Sequence, residues 1–182
     1  MIKKFNKNNK IYLLGFHAQK SGNALLRHPK KCTYGDAWLG EGYYFWLEEE
    51  FAHYWGQDFK VDYRNSHSYY CIYTAYINKT SILDATFSEN GYNLFRTSVE
   101  EAISDFKSQG LSLSLEKVHK YLADKIWPKL GITGIIYDDL PQNSQNRNYS
   151  ESPPLFYKKR LQLVVFDLSN IEKFDVYKDM QR

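Results

Sequence analysis

Three residues of this sequence pair a polar or reactive side chain with apolar or aromatic surroundings. His17 directly follows the apolar run "IYLLGF". Tyr44 stands two residues after Gly42 in "GEGYYFW". Gln162 lies within "RLQLVVFD", which otherwise reads as buried strand. A histidine can donate, accept or carry a proton near neutral pH. A tyrosine offers a flat ring with a polar tip, suited to stacking on a planar ligand. A buried amide needs hydrogen-bond partners, and a ligand can be one of them. Taken singly, each residue also has a structural reading. His17 can be a satisfied histidine at a strand end, Tyr44 can be core, and strand alternation can turn Gln162 to solvent.

Other chemistries are excluded by their missing patterns. No GxxxxGK[ST] occurs, and "GEG" lacks the third glycine of a dinucleotide fingerprint and precedes its strand instead of following it. HExxH and GxSxG are absent. His17, His28, His53, His67 and His119 are scattered, without metal-ligand spacing to Cys32 or Cys71, so no metal is expected.

The elements that must position the three residues follow from patterning. Residues 1–10 read as a polar lead-in, and 11–16 as a buried strand ending at His17. Residues 18–38 are mixed polar with Gly and Pro and read as a short helix with loops. Residues 43–46 form a short strand, followed by a helix over 47–55 that carries Glu48, Glu49 and Glu50 in its first turn. "YYCIYTAYI" (69–77) is rich in β-branched and aromatic residues and reads as a strand. Ser98 and Glu101 match a capping box opening a helix. A second helix follows Gly110, with Leu115, Val118, Leu122 and Ile126 on one face. "IIYDDL", "LQLVVFD" and "IEKFDVY" read as strands, and residues 141–154 as a long, proline-bounded exposed loop. Strands near both ends with helices between them give an α+β single domain over residues 1–182, not an alternating parallel fold.

The order of these motifs resembles the ADP-ribosyltransferase superfamily, in its diphtheria-toxin-like and poly(ADP-ribose)-polymerase-like branch with a His-Tyr-Glu site. "GFHA" is similar to the family's "LxHG" strand end, which puts His17 in the His position. "GEGYYF" is similar to "GKGxYF", which puts Tyr44 in the Tyr position, with Trp55 eleven residues on as the following aromatic. "QLVVFD" is similar to "EYxVYD", with Gln162 where the family has Glu. "LGITGIIYDD" is similar to the "lGyDGIIY" strand of small bacterial members. The likeness spans residues 11 to about 175 and rests on motif order and spacing.

The resemblance implies a split β-sheet core and NAD+ as co-substrate. Tyr44 would stack on the nicotinamide, with Trp55 closing its other face. His17 would bond ribose hydroxyls, and the main chain at Ala18 would hold the carboxamide. Gly42, with Gly40, would let the backbone turn at the pocket floor. The implied activity is mono-ADP-ribosyl transfer. The alternatives are NAD+ glycohydrolysis and a non-catalytic module that binds NAD or nucleic acid. Gln162 departs from the family: an amide can bond the ribose 2′-hydroxyl but brings no negative charge to a developing cation. Ala18 in place of Gly is milder, because a backbone contact survives a methyl group.

The formal net charge of +3 permits an anionic partner without requiring one. Basic clusters at 27–31 and 157–160, and the loop with Arg147 and Tyr149, suit phosphate contact and base stacking. The acceptor is expected to be RNA, DNA or protein. By analogy with small bacterial relatives, the expected setting is a toxin of a toxin–antitoxin or phage-defence system, with an antitoxin as partner. Two cysteines make no disulfide framework, "IYLLGF" is too short for a signal-peptide core, and no run approaches a membrane span. These place the expected location in the cytoplasm.

Overall fold

A computed structural model describes residues 2–20, 24–33, 37–58, 69–138 and 160–179. The loop at 141–154 and most of the cluster at 157–160 lie outside the described residues. Eight strands form one mixed sheet: β1 (Lys4–Lys7), β2 (Lys10–Lys20), β3 (Tyr43–Trp46), β4 (Tyr70–Asn78), β5 (Ile82–Asp84), β6 (Gly134–Asp138), β7 (Leu161–Val165) and β8 (Ile171–Asp179). Their order is β5-β6-β7-β3-β2-β4-β8, with β1 also on β2. Among the described strands only β5 and β6 pair in parallel. With helices on this largely antiparallel sheet, the class is α+β, as expected. Among the described residues no helix is long and apolar enough to cross a membrane.

The sheet is weakest at its centre. β2 pairs with β4 over nine positions, Tyr12 to Lys20, and β3 pairs with β7 over four. β2 and β3 share one, Phe16 opposite Trp46. Beyond it the two strands part, and this seam carries the candidate site.

One face of the sheet buries Leu13, Phe45, Ala75, Ile77 and Leu163. On the other face, α1 (Glu49–Asp58) packs Phe51 and Ala52 onto Phe16, Trp46 and Ile72. Further along that face, α2 (Glu89–Ser108), α3 (Leu115–Tyr121) and the turn that follows it cover Ile135 and Val164 with Ala102, Val118 and Leu122. Each large apolar side chain fully buried there is worth roughly 1.5–3 kcal/mol.

Several local expectations are corrected. The lead-in is a hairpin: β1 returns into β2 through Asn8 and Asn9, both at positive φ (50° and 59°), a conformation asparagine tolerates. β2 runs past His17 to Lys20, because β4 pairs along its whole length. The expected short helix after residue 18 is absent among the described residues. α1 runs from Glu49 to Asp58, not 47–55. Ser98 is no cap. α2 starts ten residues earlier at Ser88, whose side chain accepts from Gly91 N, and Ser98 sits mid-helix bonding Leu94 O. α3 is capped by Ser114 and ends in a π-helical turn, Leu122–Ile126, just before Pro128.

Candidate functional site at the central seam

Past the Phe16–Trp46 pair, the His17 ring replaces the missing ladder. Its Nδ1 lies 2.8 Å from Tyr44 O. A carbonyl can only accept, so Nδ1 carries the proton. In the neutral ring Nε2 is then an acceptor, buried and without a partner at hydrogen-bond geometry among the described residues, with the Gln19 side chain acting on the ring. Burial pushes the imidazole pKa below its ordinary value; the Tyr44 carbonyl and Gln19 oppose this, and Lys30 adds to it. The ring is therefore neutral at pH 7. Phe45 and Phe174 flank it at 5.7 and 6.1 Å between centroids.

The main chain of Ala18 points to the same side of β2. In an antiparallel strand the N–H and C=O of one residue point to one edge, and successive residues alternate. Leu14 N donates toward the β1 side, to Lys3 O, whereas Ile11 O accepts from Lys79 N just past β4. Even-numbered residues of β2 thus direct their amides toward β1 and β3, and no position of β3 is paired with Ala18. One step on, Cys32 takes the place β2 has left and bonds Gly42 in both directions, at 2.7 and 3.1 Å.

The two glycines of "GEGYYFW" have separate causes. Gly40 adopts φ +101°, a conformation that favours glycine. Gly42 lies against β7: a Cβ there would sit 2.6 Å from Val164 Cγ2 and 2.7 Å from Val165 O. Gly42 therefore makes room for the chain's own strand. The Tyr44 hydroxyl staples this turn, accepting from Leu39 N and donating to Gly40 O, both at 2.8 Å. Burial raises the phenol pKa, so it stays protonated.

Gln162 sits opposite Trp46 on β3 and Tyr137 on β6. It is 8% exposed. Trp38 Nε1–H donates to its Oε1 at 2.7 Å. Trp55 on α1 lies 6.3 Å from Trp46, ring to ring. The Arg160 guanidinium stands 5.2 Å over Trp46.

Strand alternation separates these groups. His17 shares a face with Phe45, while Tyr44, Trp46 and Gln162 project to the other. His17 thus meets the main chain of Tyr44 and not its ring, and Trp55 meets Trp46. The seam brings together His17, Ala18 and the main chain of Tyr44, whereas Gln162 lies beyond β3 with its side chain on the opposite face. Sequence reasoning missed Trp38, which lies in a loop without periodicity. A signal existed, because a buried indole N–H and a buried amide both need partners.

A cleft of about 350 Å³ lies beside the start of α1, lined by Lys3, Phe16, Leu47, Glu48, Glu49 and His53. Its carboxylates oppose dinucleotide phosphates, and it includes none of His17, Trp38 and Gln162. Of the basic cluster at 27–31, Lys31 pairs with Glu41 at 3.1 Å. No family model matches the chain, and no curated protein or solved structure matches it either.

Proposed function

We propose that the protein is an NAD+-dependent mono-ADP-ribosyltransferase whose nucleotide site is the seam between β2 and β3. The observation that carries this reading is the unsatisfied, buried Nε2 of a His17 ring whose Nδ1 is held by Tyr44 O, where the pairing of β2 with β3 ends. A neutral imidazole acceptor there suits a ribose hydroxyl. The Ala18 amide and carbonyl, directed to the β3 side of β2 beyond the last β3 pair, suit a carboxamide, which needs one donor and one acceptor.

The reaction breaks the bond between nicotinamide nitrogen and ribose C1′. Nicotinamide leaves neutral with the bonding pair, the ribose passes through an oxocarbenium-like state, and an acceptor X–H adds at C1′ and loses its proton. His17 and Ala18 would supply orientation, which can be worth several kcal/mol. The acceptor is an intracellular macromolecule, nucleic acid or protein. The setting is a bacterial toxin–antitoxin or phage-defence system, in which an antitoxin restrains the enzyme.

A second reading is a non-catalytic NAD- or nucleic-acid-binding module. It is favoured by the uncharged Gln162, whose carbonyl is already engaged by Trp38. Labelled NAD+ incubated with protein and cell lysate, then divided between protease and nucleases, separates the readings. Transfer predicts label that one of these treatments removes. Nicotinamide release without transfer means glycohydrolysis. Binding with no turnover leaves the module.

A further inference from the structure

The amide of Gln162 has two different ends, and its neighbour decides which faces where. An indole N–H donates and cannot accept, so the atom 2.7 Å from Trp38 Nε1 is Oε1. Nε2 is the other end. It has no hydrogen-bond partner among the described residues.

Trp38 is itself held from several directions. It sits in the turn closed by Gly40 N to Ala37 O at 2.9 Å and stapled by the Tyr44 hydroxyl. Its indole packs edge-on against Tyr137 at 5.8 Å, and Tyr137 packs against Phe95 of α2 at 5.1 Å. Rotating the amide would set its N–H₂ against the indole N–H, donor against donor.

We propose that Trp38 is a positioning residue that locks Gln162 as a hydrogen-bond donor, so that Nε2 meets a ligand oxygen. The lock follows from the geometry alone; the identity of the ligand rests on the NAD+ reading. The oxygen is then a ribose hydroxyl or the nicotinamide carbonyl. A carboxylate at this position would accept from a hydroxyl and stabilise a cation. The amide N–H₂ instead turns the positive end of its dipole toward the ligand. Such a site holds NAD+ better than it stabilises the oxocarbenium, giving affinity without matching rate.

The test is NMR of the full chain, following the Trp38 indole, the Gln162 amide and the His17 ring. Gln162→Met should shift the Trp38 Nε1–H resonance and speed its solvent exchange. NAD+ should move the Gln162 Nε2 resonances. The same movement with ADP-ribose alone assigns a ribose hydroxyl, and with nicotinamide alone the carbonyl. Trp38→Phe should raise KM for NAD+ by about fivefold, the scale of one net hydrogen bond, with a smaller change in kcat; a merely structural defect would lower the active fraction and leave KM alone. An indole signal indifferent to Gln162→Met overturns the lock. NAD+ that moves His17 but not Gln162 overturns the donor role and leaves the NAD+ reading standing. If no probe moves either residue, the NAD+ reading falls and the ligand assignment with it, while the indole signal still reports on the lock.

Discussion

Acid should destabilise this protein, and His119 on α3 should carry a measurable share of the loss. It is 6% exposed, packs against Gly40, and its Nδ1 is buried without a partner among the described residues. Burial lowers its pKa from 6.5 to about 4, with the Trp38 backbone working in the other direction. As pH falls, the unfolded chain binds this proton before the folded one, so the contribution is complete above about pH 6.5 and is lost on the way down to about 4. Between about pH 7.5 and about pH 5 the two values imply a loss of about 2 kcal/mol from this residue. The assay is urea unfolding at both pH values for the wild type and His119→Leu. The quantity compared is the change with pH, not the baseline, because the substitution also alters packing. His17, whose pKa is lowered as well, adds the same sign to both proteins and cancels. The wild type should lose about 2 kcal/mol more than the variant. Equal losses would refute the idea that His119 is buried uncharged behind the Trp38 turn.

Three further outcomes follow from the same geometry. Gly42→Ala should cost roughly 1–3 kcal/mol in denaturant unfolding, because its Cβ meets the backbone of β7; an unchanged midpoint would mean the strands are looser than described. Tyr44→Phe should cost about 1–3 kcal/mol by leaving Leu39 N without its acceptor, and it should broaden the Trp38 indole resonance; a sharp, unmoved resonance would deny that the staple holds the turn. Gln162→Glu should raise nicotinamide release by roughly tenfold through the charge it brings to the cation, while Gln162→Ala should lower it; a slower Glu variant would show that the charge is not what the site lacks.

Much of the sheet was legible because its strands are long, apolar and β-branched. "YYCIYTAYI" and "LQLVVFD" declared β4 and β7 without help from tertiary contacts. The start of α2 was hidden by its own composition. "SENG" puts Asn and Gly in the first turn, which argues against a helix. Gly91 is there because a Cβ would meet Asp84 O at 2.1 Å, a packing demand no local pattern reveals. The β1 hairpin had a cue in Asn8–Asn9, obscured by the surrounding lysines. His17, Tyr44 and Gln162 were readable as polar groups in apolar or aromatic settings. Their partners were not, since Tyr44 O, Trp38 and the parity of Ala18 depend on pairings across the sheet. The seam between β2 and β3 is likewise a property of register, which neither strand's sequence carries alone.

The most direct single measurement is nicotinamide release from NAD+ by the purified protein beside His17→Ala, with the fold of both checked by circular dichroism. The proposed site predicts release by the wild type and a loss of about a hundredfold or more in the variant. Equal release by the two proteins would remove His17 and the seam from the chemistry, and no release by the wild type would contradict the transferase reading itself.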